Sequence, residues 1–329
     1  MSKNSKLNLI LLAILIIAGL AVWQIKQKNV LENEPQNKTE VEFLNVNKDK
    51  IQKIEISRQG QVNKLRKTEK GWVVEDLIDI VVDADSEKIE NLMKALTYLE
   101  TAELVSKNLE KLASFGLDEA SAARLKITEE DSEEAQEVLI GKDDFSRLGT
   151  YIKMPKQNEI YLSKQILSMA IQTPEWRDLK IVKFDKDKLN KVSFDYQNQN
   201  NFALLKNNGQ WGIEGGDEQA GTETEKFLES LSVLAGEDLV FGKNEEELGL
   251  TKPVLKIILQ GEGMGGEMIV SKKFKQDVAP DMPDTAEQEQ FYYYIFSQGK
   301  IFKIQDYQVE QSLIKEKVDF QANDINNQN

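Results

Sequence analysis

The chain carries 56 Asp and Glu residues, no His and no Cys. That inventory narrows the chemistry open to it. Without Cys there is no thiol nucleophile, no disulfide and no thiolate metal site. Without His, the commonest general base and the commonest zinc ligand are missing. What remains is carboxylate or Lys chemistry. A two-carboxylate hydrolase acting on glycan is conceivable, because glycosidases need only two acids flanking the scissile bond. No pair at catalytic spacing identifies itself, and abundant surface acid is the plainer reading. Asp185 with Asp187, and Asp83 with Asp85, are spaced like calcium ligands. Neither pair is followed by the glycine and distal glutamate of a calcium loop, so strand-entry charge and helix capping account for them. Asp131, Glu133, Glu134 and Glu137 form an acidic run suited to a solvated hairpin tip. Gly261-Glu-Gly-Met-Gly-Gly266 has the glycine density of a phosphate cradle, but that role needs a helix directly after it. Glu267-Met-Ile-Val270 is written as a strand, so a hairpin turn fits better. These residues assign no catalytic group, no cofactor and no metal, and the chain is expected not to be an enzyme.

The most unusual segment is Phe291-Tyr-Tyr-Tyr-Ile-Phe296. Aromatic residues suit strands. One face of such a strand would join the core. The other would present rings to a sugar or a protein. Phe291, Tyr292, Tyr293, Tyr294 and Phe296 are therefore the candidate partner surface. A strand covered on both faces is the alternative.

These residues need a scaffold and a place to work. Leu9 to Trp23 is apolar without a break. Extended by Leu7 and Ile25 it makes roughly 28 Å of helix, enough to cross a bilayer. Lys3 and Lys6 precede it, and Lys26 and Lys28 follow. A cleaved signal peptide ending near Gly19-Leu20-Ala21 is the rival. Val22, Trp23 and Ile25 continue the apolar character past that cut and favour a retained transmembrane anchor over residues 1–25. The flanking lysines are nearly balanced, and a lone N-terminal anchor usually exports the domain behind it. The expected location is a single-pass cell-membrane protein with its bulk extracytoplasmic. Residues 26–47 are polar and read as a tether. The net charge of −14 repels phosphate backbones and anionic head groups, which argues against nucleic acid as a partner.

The remainder repeats itself. Ile51-Gln-Lys-Ile-Glu-Ile56 matches Leu189-Asn-Lys-Val-Ser-Phe194, and each is followed by a second strand and a tryptophan, Trp72 or Trp211. Both tryptophans are expected in the core. A helix opens at Asp85-Ser86-Glu87 with Ile89, Leu92, Met93, Leu96 and Leu99 on one face. Its counterpart opens at Thr222 to Glu225 with Phe227, Leu228, Leu231 and Leu234. Phe115-Gly116-Leu117 answers Leu248-Gly249-Leu250, Leu125-Lys-Ile127 answers Leu255-Lys-Ile257, and Val138-Leu-Ile140 answers Met268-Ile-Val270. Tyr151-Ile152 answers Tyr294-Ile295, and Ile160-Tyr161 answers Ile301-Phe302. Short helices close the units near Lys164 to Ile171 and near Val309 to Lys317. The expected class is α+β: a transmembrane helix, then two tandem repeats of an antiparallel-sheet-plus-helix unit over 48–178 and 179–320. Residues 321–329 are expected to be a disordered tail.

Ala84-Asp85, Phe115-Gly116-Leu117-Asp118, Leu139-Ile140-Gly141, Tyr161-Leu162 and Trp176-Arg177-Asp178 resemble the recurring phrases of the DUF4340 family, a bacterial domain of unknown function. The second unit departs from them at Thr251 and Ser271. The resemblance brings no catalytic residues. It implies a membrane-anchored protein, accessory to a gliding-motility-type ABC transporter. Together these readings point to a membrane-tethered, non-enzymatic binding or scaffold protein that holds a protein partner in a membrane complex.

Overall fold

The computed structural model describes residues 40–75, 80–130, 132, 134–198, 200–216, 220–276 and 289–321. The chain divides into two compact units, Met1–Asp178 and Leu179–Asn329.

The first unit is built on an antiparallel sheet. Its strands in chain order are β1 (Glu40–Glu42), β2 (Ile51–Arg58), β3 (Gln61–Thr68), β4 (Gly71–Glu75), β5 (Val81–Asp83), β6 (Thr101–Ser106), β7 (Ala123–Glu129), β8 (Gln136–Asp143), β9 (Thr150–Lys153) and β10 (Ile160–Ser163). Across the sheet they run β1-β6-β10-β9-β8-β7-β2-β3-β4-β5. Helix α1 (Ser86–Thr97) joins β5 to β6, and α2 (Leu112–Phe115) and α3 (Ser168–Ile171) are single turns. The inward face of β2 carries Ile51, Ile54 and Ile56. Simple alternation would not bury both Ile51 and Ile54. A bulge between Ile51 and Lys53 inserts one residue and restores the face. Helix α1 buries Ile89, Leu92, Ala95 and Leu96, a stripe at helical spacing. Asp85 caps it, its side chain accepting from the amides of Glu87 at 3.0 Å and Lys88 at 3.3 Å. Ile54, Leu125, Ile140, Leu92, Leu99 and Trp176 belong to one buried cluster.

The second unit has strands β11 (Leu189–Tyr196), β12 (Phe202–Asn207), β13 (Gln210–Ile213), β14 (Asp238–Leu239), β15 (Leu255–Gly261), β16 (Met264–Val270), β17 (Phe274–Lys275), β18 (Phe291–Ser297) and β19 (Lys300–Gln305). Helices α4 (Gly221–Val233) and α5 (Asp306–Ser312) complete it, with a short 3-10 turn over Lys317–Phe320. The sheet runs β13-β12-β11-β15-β16-β18-β19-β14, with β17 on β18. That order repeats β4-β3-β2-β7-β8-β9-β10-β6 of the first unit. The registers coincide as well. Leu65 faces Ile54 and Val74, and Leu204 faces Val192 and Ile213. A bulge recurs between Leu189 and Lys191. Phe194, Phe202, Phe227 and Phe320 form the aromatic centre of the core, with Phe194 stacked on Phe202 at 4.5 Å.

Several expectations need correcting. The α+β class gives way to a mainly antiparallel β one: strand holds 42% of the residues and helix 19%. The sequence overweighted its two periodic helices because each short strand leaves a weaker signal than a thirteen-residue amphipathic stripe. The anchor at Leu9–Trp23 lies outside the described residues. Among the described residues no helix is long and apolar enough to cross a membrane. The polar tether does not extend to 47. Glu40–Glu42 pairs with β6, and Phe43 and Leu44 are buried. Of the expected tail, Gln321 is described and residues 322–329 lie outside the described residues. The closing helix near Val309 to Lys317 is instead α5 followed by the 3-10 turn. Register also moves one match: Ile56 faces Leu125 and Phe194 faces Ile257, so Leu125 answers Ile257, two residues beyond Leu255. A shift of two keeps every side chain on its face, which is why alternation alone could not detect it.

Candidate functional site

β18 owes its faces to strand alternation. Tyr293, Ile295 and Ser297 are buried, while Tyr292, Tyr294 and Phe296 lie half-buried on the opposite face. Phe274 of β17 sits opposite Tyr292 in the ladder. The Phe274 ring stacks on Tyr292 at 5.8 Å and meets Tyr294 edge-on at 5.2 Å, and Tyr292 meets Tyr294 edge-on at 5.2 Å. Lys303 Nζ lies 4.7 Å above the Tyr292 ring, and Lys272 Nζ lies 5.4 Å above Phe274. The Tyr294 hydroxyl donates to that of Tyr292 at 3.4 Å. Burial and that hydroxyl push Tyr294 up to about 12. Next along the face, Ile269, Phe296 and Ile301 form one cross-strand row of half-buried apolar side chains. The result is a fixed aromatic platform edged by ammonium groups. It can stack against an apolar or aromatic group, with the lysines supplying cation–π and hydrogen-bond contacts.

The five sequence candidates divide accordingly. Tyr292, Tyr294 and Phe296 share the platform. Tyr293 does not belong to it. It is 5% exposed, burial raises its pKa, and its hydroxyl donates to Glu310 at 3.3 Å. Phe291 lies under Lys273, whose Nζ is 4.9 Å from its ring. Lys273 also bridges Asp306 and Glu310 of α5, each at 2.7 Å, and those contacts raise its pKa. Phe274, Lys272 and Lys303 were missed. In Ser271-Lys-Lys-Phe-Lys-Gln276 the lone Phe274 carries no pattern of its own, and only its pairing with β18 reveals it.

Other candidates resolve locally. Asp185 accepts from the Asp187 amide at 3.1 Å and pairs with Lys188 at 3.3 Å, making a turn. Asp85 caps α1. Gly261 faces Met264 across a two-residue hairpin. Asp131 and Glu133 lie outside the described residues. Trp211 is buried and its indole N–H donates to Glu225 at 3.2 Å. Trp72 is only half-buried, against the edge of the core. Among the described residues no group of His, Asp or Glu is arranged to hold a metal.

A hydrolase of the two-acid kind needs one carboxyl held protonated near neutral pH. The displaced carboxylates move the other way. Lysine partners draw Glu40, Glu90, Glu159 and Asp306 down, and the Ser146 hydroxyl draws Asp144 down. Burial opposes the shift at Glu175, yet Arg177 still lowers it. A cleft of 930 Å³ opens beside Tyr196, Asn198, Asn201, Phe202, Ile314 and Val318, with Glu316 the one carboxylate on its wall among the described residues. Glu316 is committed to a capping box with Asp319. A second, of 790 Å³, has Glu225 and Glu229 on its wall, and both pair with Lys186 at 3.6 Å.

The family model described as "Domain of unknown function (DUF4340)" matches residues 72–253. The match starts at Trp72, takes in α1 and α4, and ends between β14 and β15. No curated protein and no solved structure matches the chain.

Proposed function

The chain belongs to the DUF4340 family, and from that footing we propose that it is a non-enzymatic, membrane-tethered binding or scaffold protein of the extracytoplasmic face. The apolar run Leu9–Trp23 supports the tethering. The observation that carries the binding role is the platform of Phe274, Tyr292, Tyr294 and Phe296. Aromatic rings of this kind are enriched where proteins meet, because they bring large area at low entropic cost. Isolated exposed apolar residues are ordinary, whereas a contiguous patch edged by polar groups marks an interaction site. The partner is a protein of a membrane complex, and the family resemblance points to a gliding-motility-type ABC transporter.

The test is a photo-crosslinking amino acid placed at Phe296 in cells, followed by identification of what is held. Crosslinking to one membrane-complex subunit is expected. It should fall with Tyr292→Ala or Tyr294→Ala and persist with the conservative Tyr293→Phe. Turnover of a glycan by the purified protein, lost on changing one Asp or Glu, would overturn the non-enzymatic reading.

A further inference from the structure

Three of the most exposed large apolar side chains come from two short stretches of the first unit. Phe145 is fully exposed, Met169 is 87% exposed and Leu148 is 69% exposed. Phe145 and Leu148 sit in the turn between β8 and β9, and Met169 in α3. Hydrogen bonds tie the two together. Asp143 accepts from Thr150 Oγ1 at 2.6 Å and from Ser168 Oγ at 2.7 Å. The Leu167 amide donates to Thr150 Oγ1 at 2.9 Å. Met169 therefore follows directly on a residue bonded to the foot of the turn.

The turn is built, not loose. Asp144 accepts from the amides of Ser146, Leu148 and Gly149 at 3.2, 2.7 and 3.0 Å, and also from the Ser146 hydroxyl. Its own amide donates to the Gly149 carbonyl at 2.9 Å. Arg147 holds a left-handed backbone at φ 55°. A Cβ on Gly149 would come 2.0 Å from the Ser163 carbonyl oxygen, so only glycine lets the turn seat against β10. These contacts engage both carboxylates, Asp144 within the turn and Asp143 at its foot. The cations Lys142 and Arg147 are exposed, and neither pairs with a carboxylate among the described residues.

We propose that the 144–149 turn, with Met169 beside it, is a tip that dips into the interfacial layer of a lipid bilayer. A convex, fully exposed Phe finds no groove of its own and suits a soft apolar phase. Flanking Lys and Arg can keep their charges at the phosphate level while the rings and methyls sink below it. The chain's net charge of −14 disfavours adsorption by electrostatics, so apolar insertion must supply the affinity. Position fits as well. Glu40 faces Glu103, Glu103 faces Leu162, and Leu162 faces Tyr151, just after the turn. Three strand spacings, about 14 Å, separate Glu40 from Tyr151. Sixteen residues separate Trp23 from Glu40, and a chain of that length can span at most about 55 Å. The inference rests in part on the tethered reading.

The absence of natural Cys permits a clean test on the full chain. Leu148→Cys carries an environment-sensitive dye in phosphatidylcholine vesicles containing nitroxide-labelled lipid. Val62→Cys, an exposed position near the start of β3, is the control. The dye at 148 should shift to the blue and lose more emission to the nitroxide than the control, and Phe145→Asp should abolish the difference. Quenching at 148 no greater than at 62 overturns the tip, whether or not the chain floats with vesicles. Flotation without that quenching leaves the tether standing and removes only the tip. Failure to float in the unaltered chain removes the tether, and quenching at 148 on added vesicles would then still support the tip.

Discussion

The two sheets share a strand order but finish their outer faces differently. In the first unit one cross-strand row reads Glu75, Lys64, Glu55, Lys126 and Glu137. Lys126 meets Glu55 at 3.3 Å, and Arg66 and Arg124 add further contacts to Glu75 and Glu137. Exposed pairs like these stabilise by about 0–1 kcal/mol each, so the ladder chiefly keeps that face wet. In the second unit the equivalent row reads Ala203, Ser193, Ile258 and Glu267, with no such alternation of charge, and the aromatic platform lies further across the same sheet, on β17 and β18. The link from sheet to small helix is inverted too. Ile140 and Val270 hold equivalent places, which aligns Asp143 with Lys273. Asp143 accepts from Ser168 of α3, whereas Lys273 grips Asp306 and Glu310 of α5. Opposite charges fill the same structural office. Strand order follows the inward apolar residues, and the outward ones are free to diverge toward separate tasks.

The sharpest test of that equivalence uses Gly141 and its counterpart Ser271. A Cβ at Gly141 would lie 2.3 Å from the Phe115 carbonyl oxygen. Ser271 instead uses its hydroxyl to accept from the Tyr294 amide at 2.8 Å. Gly141→Ser should cost about 3 kcal/mol, read by chemical denaturation, because backbone must move. Ser271→Gly should cost about 1–2 kcal/mol through the lost bond and added chain entropy. Equal small effects would show that the two positions are not comparable. The inverted links come next. Asp143→Ala strands two hydroxyls and should cost about 2 kcal/mol. Lys273→Ala, at a site 36% exposed, should cost under about 1 kcal/mol. The reverse ranking would mean that the second link is the structural one.

Helix starts give a smaller contrast. Asp85 caps α1, while α4 has no side-chain cap. Asp85→Ala should cost about 1 kcal/mol, and the first-turn amides of α4 should already exchange faster with deuterium than those of α1. The smallest effect is alkaline. Tyr294 ionises at about 12 in the fold against an ordinary 10. A raised pKa means its contribution is intact below pH 10 and is lost as pH climbs from 10 toward 12. Tyr294→Phe should flatten the fall in Tm across that window, and an unchanged slope would detach Tyr294 from the hydroxyl contact and burial of the platform.

Much of the inward face was legible because burial imposes periodicity. Ile51, Ile54 and Ile56, the stripe Ile89 to Leu96, and Trp211 all announced their roles, whereas Trp72, at the matching place, reaches only the edge of its core. The left-handed glycines Gly116 and Gly249, at φ 67° and 70°, likewise close matching turns. What stayed hidden depends on partners remote in sequence. Phe274 joins the platform only through β17, and Tyr293 leaves it only because alternation turns its ring inward. Phe43 and Leu44 hid in polar surroundings, since two apolar residues make no period. The Phe145 tip was equally silent, because exposure cannot be read from residue type.

The central pairing has a kinetic consequence. Ile54 meets Ile127, and Val192 meets Leu259, across about seventy residues in each case. Hairpins such as β2–β3 and β15–β16 can form as soon as they are made, but neither sheet is joined until its chain has returned past a helix and several turns. Loop closure of that size is slow to be rewarded. During that interval the inner edges of β2 and β11 stay unpaired, open to strands from neighbouring chains. Newly made chain should therefore be most vulnerable to aggregation when roughly the first 120 residues have emerged.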